Sequence, residues 1–374
     1  MQLGHTLVIR PGALGDAVLT FPVLHMLRLS GASSLTILGT PSSWGFIKKS
    51  HHGLRISDFS SQQWLGLFAP SAKLGDPARA MLAQIQTAIV YLAGDSMDVV
   101  KVLQVAGVQT VLCIEPPTLL THAQAPSHHP AFDPLALTHA LEGGVVPLSP
   151  CADIGLRTPD SNSHASERLL DPLSCLISQT HRDRALAHNE QSSDVFLSIN
   201  EQEQVRALDK LGFDAPPESG FLAIHPGSGG RDKCWPADRF AKLAVEFSCR
   251  HGIIPLVFFG PADDSTRGGF ESAMPPGVEW ESMDGWPLRD VLALLSLSKA
   301  YIGNDSGITH LAARACPVLA LFGPTDPAVW APLGKNVHVL QAAHHDIKNL
   351  SMAEVIEAAE KCLSIQRNSR TTEA

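Results

Sequence analysis

The sequence predicts an α/β protein made of two doubly wound domains with a cleft between them. Short apolar runs alternate with helical patterns through both halves of the chain, which is typical of βαβ units in a parallel sheet. The 374 residues also exceed the size of one typical domain, about 150 residues. In addition, three glycine-rich turns each follow an apolar run and open a helical pattern, as ligand-binding turns in such sheets do.

The first half opens on an apolar run of strand length, followed by a helical pattern after a glycine turn. The alternation then continues with short connections, so neighbouring strands are expected to be parallel. The predicted strands are His5–Arg10, Ser34–Leu38, Thr87–Leu92 and Thr110–Ile114, and the predicted helices are Asp16–Leu29, Pro41–Ser50 and Ser96–Ala106.

Residues 115–190 break this regularity because they are rich in proline, serine and histidine. Short helices are expected at Phe132–Leu141 and Glu167–Ile177. We expect a first domain at 1–190 that ends in this irregular segment and a second domain at 191–350. A last helix, Met352–Leu363, lies in the remaining segment 351–374 and is expected to pack back on the first domain.

The alternation restarts in the second half, and the same reasoning identifies its elements. Pro236 suits the first turn of its helix, where the N–H that proline lacks would have no partner. The predicted helices are Glu201–Leu211, Pro236–His251, Asp264–Ala273, Pro287–Leu297 and Gly307–Ala315, and the predicted strands are Phe221–His225, Ile253–Phe259, Val278–Trp280, Tyr301–Gly303 and Val318–Phe322.

Composition limits the classes of function. A formal net charge of −9 argues against a general nucleic-acid binder, which needs a basic face. The seven cysteines show no CxxC spacing, so no zinc or redox motif is predicted. The chain begins without a basic, apolar leader, and no apolar run approaches the ~20 residues of a membrane helix. A cytoplasmic protein is expected, with peripheral contact at the inner face of the membrane left open.

The first glycine-rich turn runs from Arg10 to Asp16 and contains Gly12 and Gly15. Asp16 lies where a helix begins, so its carboxylate could simply stabilise the first helical turn. Alternatively, it could serve as a general base at the carboxyl end of the first strand, where open α/β sheets bind their ligands. The turn lacks the GxGxxG spacing of a dinucleotide site.

The second turn, His225-Pro226-Gly227-Ser228-Gly229-Gly230, ends a strand and is followed by Lys233. Backbone N–H groups, the Ser228 hydroxyl and the Lys233 ammonium could converge on one anion such as a diphosphate. The alternative is a glycine loop with a solvated lysine. His225 is more typical of a hydrogen-bonded residue at a strand end than of a catalyst.

The third turn contains Asp305, Ser306 and Gly307, and His310 follows in the helix that they open. These residues could cap the helix or face the same anion as Lys233. Asp263 and Asp264 follow another strand and could accept hydrogen bonds from ribose hydroxyls. The histidine pairs at 51–52, 128–129 and 344–345 lack acidic or thiol partners at suitable spacing, so no metal site is predicted.

Taken together, these motifs resemble glycosyltransferase family 9, the ADP-heptose:lipopolysaccharide heptosyltransferases. The resemblance lies in segments at both ends of the chain that occur in the family's order. They are Leu7–Asp16 with Thr20-Phe21-Pro22, Ile224–Ser228, Lys233–Pro236, Ile302–Ala312 and Leu321–Pro327.

The resemblance implies a GT-B fold of two Rossmann-like domains, with the acceptor on the N-terminal one and the nucleotide sugar on the C-terminal one. It implies inverting, metal-independent transfer without a cofactor, the donor being a nucleotide sugar such as ADP-heptose. The acceptor would be a hydroxyl of a lipopolysaccharide core or a related glycan.

Individual roles also follow from the resemblance. Asp16 matches the family's general base, and Lys233 matches its diphosphate-binding lysine. Asp263 or Asp264 falls where the family has an acid near the ribose. The positions that line the donor diphosphate are Ser228, Gly229, Asp305, Ser306, Gly307 and His310, and the acceptor-side loop contains Gly12 and Gly15.

Two other functions remain open at this point. A sugar-nucleotide epimerase could use the same architecture and would form product from the donor alone. A non-catalytic scaffold could bind a nucleotide sugar without turnover. The presence of both Asp16 and Lys233 favours the transferase over the scaffold.

Overall fold

The computed structural model describes residues 3–47, 53–69, 72–92, 96–114, 145–147, 163–175, 179–189 and 197–371. The chain divides into two units. One comprises Met1–Trp44 and Lys49–His188, and the other comprises Gly45–Lys48 and Asn189–Ala374. The expected helix Phe132–Leu141 and the histidine pairs at 51–52 and 128–129 lie outside the described residues.

The first unit contains a six-stranded sheet whose paired strands are all parallel, in the order β3-β2-β1-β4-β5-β6. Leu7 of the central strand lies opposite Thr36 on one side and Ala88 on the other. The strands are β1 Gly4–Ile9, β2 Ala32–Gly39, β3 Leu54–Asp58, β4 Thr87–Tyr91, β5 Thr110–Ile114 and β6 Val145–Pro147.

The helix predicted at Asp16–Leu29 is divided into two in the structure. Pro22 has no N–H to continue the hydrogen-bond ladder, and the Thr20 hydroxyl donates to the Asp16 carbonyl at 2.7 Å. The helices described before residue 190 are α1 Leu14–Leu19, α2 Phe21–Leu29, α3 Pro41–Trp44, α4 Leu65–Phe68, α5 Asp76–Leu82, α6 Met97–Val105, α7 Ala165–Leu170 and α8 Gln179–Asn189.

The second unit contains another parallel six-stranded sheet, in the order β12-β11-β10-β7-β8-β9. Counted within each unit, both sheets have the Rossmann order 3-2-1-4-5-6. The predicted fold class, two doubly wound α/β domains, is therefore confirmed. The strands are β7 Phe221–His225, β8 Ile254–Phe259, β9 Glu281–Asp284, β10 Ser298–Asn304, β11 Val318–Phe322 and β12 Val337–Gln341.

The helices described in the second unit pack on this sheet or on a neighbouring helix. They are α9 Glu201–Lys210, α10 Ala237–His251, α11 Asp264–Ala273, α12 Leu288–Leu297, α13 Gly307–Ala312, α14 Pro327–Trp330 and α15 Met352–Thr371. Val355, Ala359 and Cys362 of α15 are buried in the core of the second unit. The described part of this helix therefore packs on the second unit, where we expected it on the first.

In each sheet, the strand order reverses between the first and fourth strands. This switch point lies between β1 and β4 in the first unit and between β7 and β10 in the second. Loops that leave the carboxyl ends of these strands diverge and leave room for a ligand. The first glycine turn follows β1, the second follows β7 and the third follows β10, so all three turns lie at switch points.

Candidate functional site

In the first unit, the turn after β1 holds the Asp16 carboxylate through both of its oxygens. Asp16 Oδ1 accepts a hydrogen bond from Arg10 Nη2 at 2.7 Å, and Oδ2 accepts one from the Ala13 N–H at 3.0 Å. The Asp16 side chain is 37% exposed, so the carboxylate is fixed and still reachable from solvent. Asp16 thus stabilises the start of α1, as one of its two predicted roles requires.

The two glycines of this turn have different surroundings. Gly12 has a φ of 139°, and a Cβ there would collide with the Asp16 carboxylate. Only glycine therefore lets the chain close around Asp16 in this way. Gly15 lies inside α1 and is half-buried.

Arg10 belongs to the candidate site, although its sequence position alone did not predict this. Its side chain is buried, and its guanidinium lies 5.7 Å from the centre of the Tyr91 ring at the end of β4. Burial lowers the pKa of Arg10, while the charge of Asp16 opposes this shift. The sequence did contain a signal for this role, namely a charged residue at the end of an apolar strand. An arginine is seldom buried unless it is paired, so a buried partner could have been expected.

In the second unit, a cluster of polar side chains occupies the loops that leave four neighbouring strands. The loops follow β7, β8, β10 and β11. The cluster, which we call the loop cluster, consists of His225, Ser228, Lys233, Asp263, Asp305, Ser306 and Thr325.

Lys233 and Asp305 form an ion pair within the loop cluster. Lys233 Nζ donates to Asp305 Oδ2 at 2.8 Å, and the Thr325 hydroxyl donates to the same oxygen at 2.8 Å. The Ser228 hydroxyl donates to the Asp305 carbonyl at 2.6 Å. The side chains of Lys233 and Asp305 are only 15% and 7% exposed, so Lys233 is not a solvated surface lysine.

Asn304, which ends β10, ties the second and third turns together. Its Nδ2 donates to the carbonyls of Pro226 and Gly227 at 2.9 and 3.2 Å, and its Oδ1 accepts from the Trp235 N–H at 3.0 Å. These bonds fix the loop that carries Lys233. Asn304 lies within the motif Ile302–Ala312, and nothing in the sequence alone indicated this role.

Asp263 and Asp264, the two neighbouring acids of the loop after β8, have different surroundings. Asp263 is buried, accepts a hydrogen bond from the Gly260 N–H at 2.7 Å and lies 3.0 Å from His225 Nε2. Burial alone would raise the pKa of Asp263, but the hydrogen bond and charge of His225, with the Gly260 N–H and Arg267, lower it overall. Asp264 is exposed at the start of α11.

The other residues of the predicted donor site lie at the same edge of the sheet. Ser306 is the N-cap of α13, and its hydroxyl lies 3.2 Å from His225 Nδ1. Gly307 begins this helix, in which His310 is buried. Gly229 is exposed, with no atom within 4 Å of the position that a Cβ would occupy.

Replacing Gly227 by alanine is expected to lower the free energy of unfolding by about 1–3 kcal/mol. A Cβ at this position would overlap the carboxylate of Asp263, which would have to leave His225. Urea denaturation measures the change, and Gly229→Ala is the matched control because the added methyl group there meets open space. Equal stability of the two variants would contradict the contact between Gly227 and Asp263.

Neither a metal cluster nor a membrane-spanning helix is found in the part of the chain that the structure describes. No group of three or more His, Cys, Asp or Glu side chains among those residues could hold a metal ion. Among the same residues, no helix combines the length and apolar character needed to cross a bilayer.

Two Rossmann-type sheets, each with polar loops at its switch point, define a two-domain α/β protein of the GT-B class. A glycosyl transferase family 9 structure from Veillonella parvula has the same fold. It superposes with a TM-score of 0.70 at 19% identity and covers 97% of this chain and 98% of that one. The E. coli heptosyltransferase WaaC, solved with ADP, gives a TM-score of 0.57 at 17% identity, covering 96% and 99% of the two chains.

Residues 176–359 match the model of glycosyltransferase family 9 (heptosyltransferase). The resemblance drawn from the sequence motifs is thereby confirmed. E. coli lipopolysaccharide heptosyltransferase 3 is 28% identical over 185 residues, which are 48% of this chain and 49% of that protein. The chain thus spans about half the length of the curated relatives it matches.

Proposed function

We propose that the protein is an inverting glycosyltransferase that moves heptose from ADP-heptose to a hydroxyl of a lipopolysaccharide core or a related glycan. The observation that carries the proposal is the buried Lys233–Asp305 pair at the switch point of the family 9 segment. The relatives named as heptosyltransferases support the sugar, and the ADP in the WaaC structure supports the nucleotide.

Lys233 has the geometry to bind a diphosphate without giving up Asp305. An ammonium group has three N–H donors, and Asp305 accepts only one of them. The other two can bond to phosphate oxygens, since the side chain is 15% exposed. Asp305 then fixes the position of the ammonium group, while Ser228 and Thr325 fix Asp305.

In the proposed reaction, the acceptor oxygen attacks the anomeric carbon from the face opposite the leaving group. The C–O bond to the β-phosphate breaks and its electron pair passes to the phosphate oxygen, so the anomeric configuration inverts. Asp16 takes the proton of the acceptor hydroxyl. The charge that develops on the diphosphate is stabilised by Lys233, so this scheme has no step that a metal ion performs.

We assign the hydrogen bonds to the ribose hydroxyls of the donor to Asp264 and not to Asp263. Asp263 is buried and hydrogen-bonded to His225 and Gly260, whereas Asp264 is exposed beside it. A carboxylate that is open to solvent can accept hydrogen bonds from the two ribose hydroxyls. We also propose that the enzyme works in the cytoplasm, where ADP-heptose and a glycolipid acceptor at the inner face of the membrane would meet.

The test is to incubate the protein with ADP-heptose and a truncated lipopolysaccharide core and to follow the acceptor by mass spectrometry. We expect an acceptor enlarged by one heptose, with the inverted anomeric configuration in its NMR spectrum. Product from the donor alone would indicate an epimerase. Tight ADP binding without transfer to any acceptor would indicate a scaffold. Tighter binding of UDP, GDP or CDP than of ADP in calorimetry would mean that the donor carries that nucleotide instead of ADP.

A further inference from the structure

A chain of polar contacts joins the carboxyl ends of three adjacent strands in the second unit. Asp263, after β8, contacts the His225 Nε2 at the end of β7 at 3.0 Å. His225 Nδ1 lies 3.2 Å from the Ser306 hydroxyl after β10. Ser306 Oγ in turn lies 3.0 Å from the hydroxyl of Thr309.

The donor and acceptor in each of these contacts can be worked out from the last acceptor in the series, the Asn304 carbonyl. The Thr309 hydroxyl lies 2.5 Å from the Asn304 carbonyl, and a carbonyl oxygen only accepts, so Thr309 donates its one proton there. Tyr301, 2.9 Å from Thr309 Oγ1, must donate to that oxygen. Burial raises the pKa of Tyr301, which keeps its proton in place.

With the 3.0 Å contact between Ser306 Oγ and Thr309 Oγ1 taken as a hydrogen bond, Ser306 is its donor, because the only proton on the Thr309 hydroxyl is already used. A hydroxyl group has a single proton, so Ser306 has none left for His225. The contact between Ser306 Oγ and His225 Nδ1 is therefore a hydrogen bond only if Nδ1 carries the proton.

The other ring nitrogen of His225 must carry a proton as well. The pKa of Asp263 is lowered, despite its burial, by His225, Gly260 and Arg267, so this carboxylate is ionised near neutral pH. An ionised carboxylate only accepts hydrogen bonds. The contact at 3.0 Å between His225 Nε2 and Asp263 Oδ2 therefore needs a proton on Nε2.

We propose that His225 is a positioning residue: an imidazolium, paired with the Asp263 carboxylate, that fixes Ser306 and with it the turn that carries Asp305. This inference rests on the proposed function in one respect, since the turn is taken to present Lys233 to a diphosphate. Both hydrogen-bonding directions of the Ser306 hydroxyl are used within the protein. Ser306 thus acts by holding Asp305, the residue before it, in place for Lys233.

The protonation state is tested by NMR on the full chain labelled with ¹⁵N-histidine at pH 7. Spectra of His225→Gln and Ser306→Ala assign the His225 signals among the 17 histidines. We expect both ring nitrogens of His225 to carry a proton. A ring with one protonated nitrogen would overturn the proposal, whether or not the protein transfers a sugar.

The positioning role is tested by a double-mutant cycle that uses ADP as the probe. His225→Gln and Ser306→Ala are each expected to weaken ADP binding by about tenfold, as the loss of a hydrogen bond to a charged group does. Because His225 acts through Ser306, the double variant is expected to bind ADP no more weakly than Ser306→Ala alone. Losses that multiply in the double variant would contradict action through Ser306.

A matched control exists elsewhere in the same unit. His251 Nε2 on α10 lies 2.9 Å from the Glu360 carboxylate on α15, so it is also a histidine paired with an acid. His251→Gln should leave ADP affinity unchanged. If the wild-type protein binds no ADP at all, the proposed function fails, while the NMR measurement still decides the protonation state of His225.

Discussion

Replacing Asp16 by asparagine is expected to reduce turnover by about 10²- to 10⁴-fold, the range that a general base contributes. Asparagine has nearly the same shape and retains one oxygen that can accept a hydrogen bond from Arg10 or Ala13, but it cannot take the proton of an acceptor hydroxyl. ADP affinity should not change, because the loop cluster belongs to the other unit. Steady-state transfer assays and calorimetry measure the two effects separately.

The contacts of Asp16 require a control for stability. Its carboxylate accepts from the Ala13 N–H at 3.0 Å near the start of α1, and losing such an interaction costs about 1 kcal/mol. Asp98→Asn is the matched control, since Asp98 is another acid in the first turn of a helix and is 61% exposed. If Asp16→Asn unfolds more easily than wild type but transfers at the wild-type rate, Asp16 only stabilises α1.

The sequence was most informative where strands are buried on both faces. β7 and β11 are buried along their whole length and were predicted with their observed bounds, because such strands are continuous apolar runs. β3 and β12 were missed. They are edge strands in their sheets. Both mix apolar with polar residues, and most of their positions are not buried, so their apolar signal is weak.

The predicted strand at Val278–Trp280 was misplaced. The structure has this strand, β9, at Glu281–Asp284, where Glu281, Ser282 and Asp284 surround a single buried methionine. β9 is also an edge strand, so most of its side chains do not need to be apolar. Val278 and Trp280, on either side of Glu279, form a stronger apolar pattern than β9 itself. The strand was therefore predicted three residues too early.

The contacts within the candidate site could not be predicted from the sequence either, because they join residues that are far apart along the chain. The sequence could place Lys233 and Asp305 after strands, but the two residues are 72 positions apart, and their contact depends on β7 lying beside β10. Likewise, Asp263 and Asp264 have the same chemistry and adjoin in sequence. Only the local backbone decides that Asp263 turns inward to His225 while Asp264 remains exposed.

Lys233→Met is expected to weaken ADP binding by about 30-fold or more, as the loss of one partner of a desolvated charge pair does. Methionine fills much of the lysine's volume but has no N–H donor for phosphate. Lys242→Met is the control, because Lys242 makes an exposed ion pair with Asp238 on α10 of the same unit. Calorimetry with ADP is the measurement, and equal affinities of the two variants would remove Lys233 from the donor site.

The same variant also separates ligand binding from stability. Without Lys233, the buried Asp305 carboxylate retains the Thr325 hydroxyl but loses its counter-charge, so the free energy of unfolding should fall by about 1–3 kcal/mol. Adding Asp305→Asn removes the uncompensated charge and should restore much of this stability. ADP affinity should stay low in the double variant, because the ammonium group is still missing. If affinity recovers together with stability, Lys233 acts on the fold of the turn and does not bind the diphosphate.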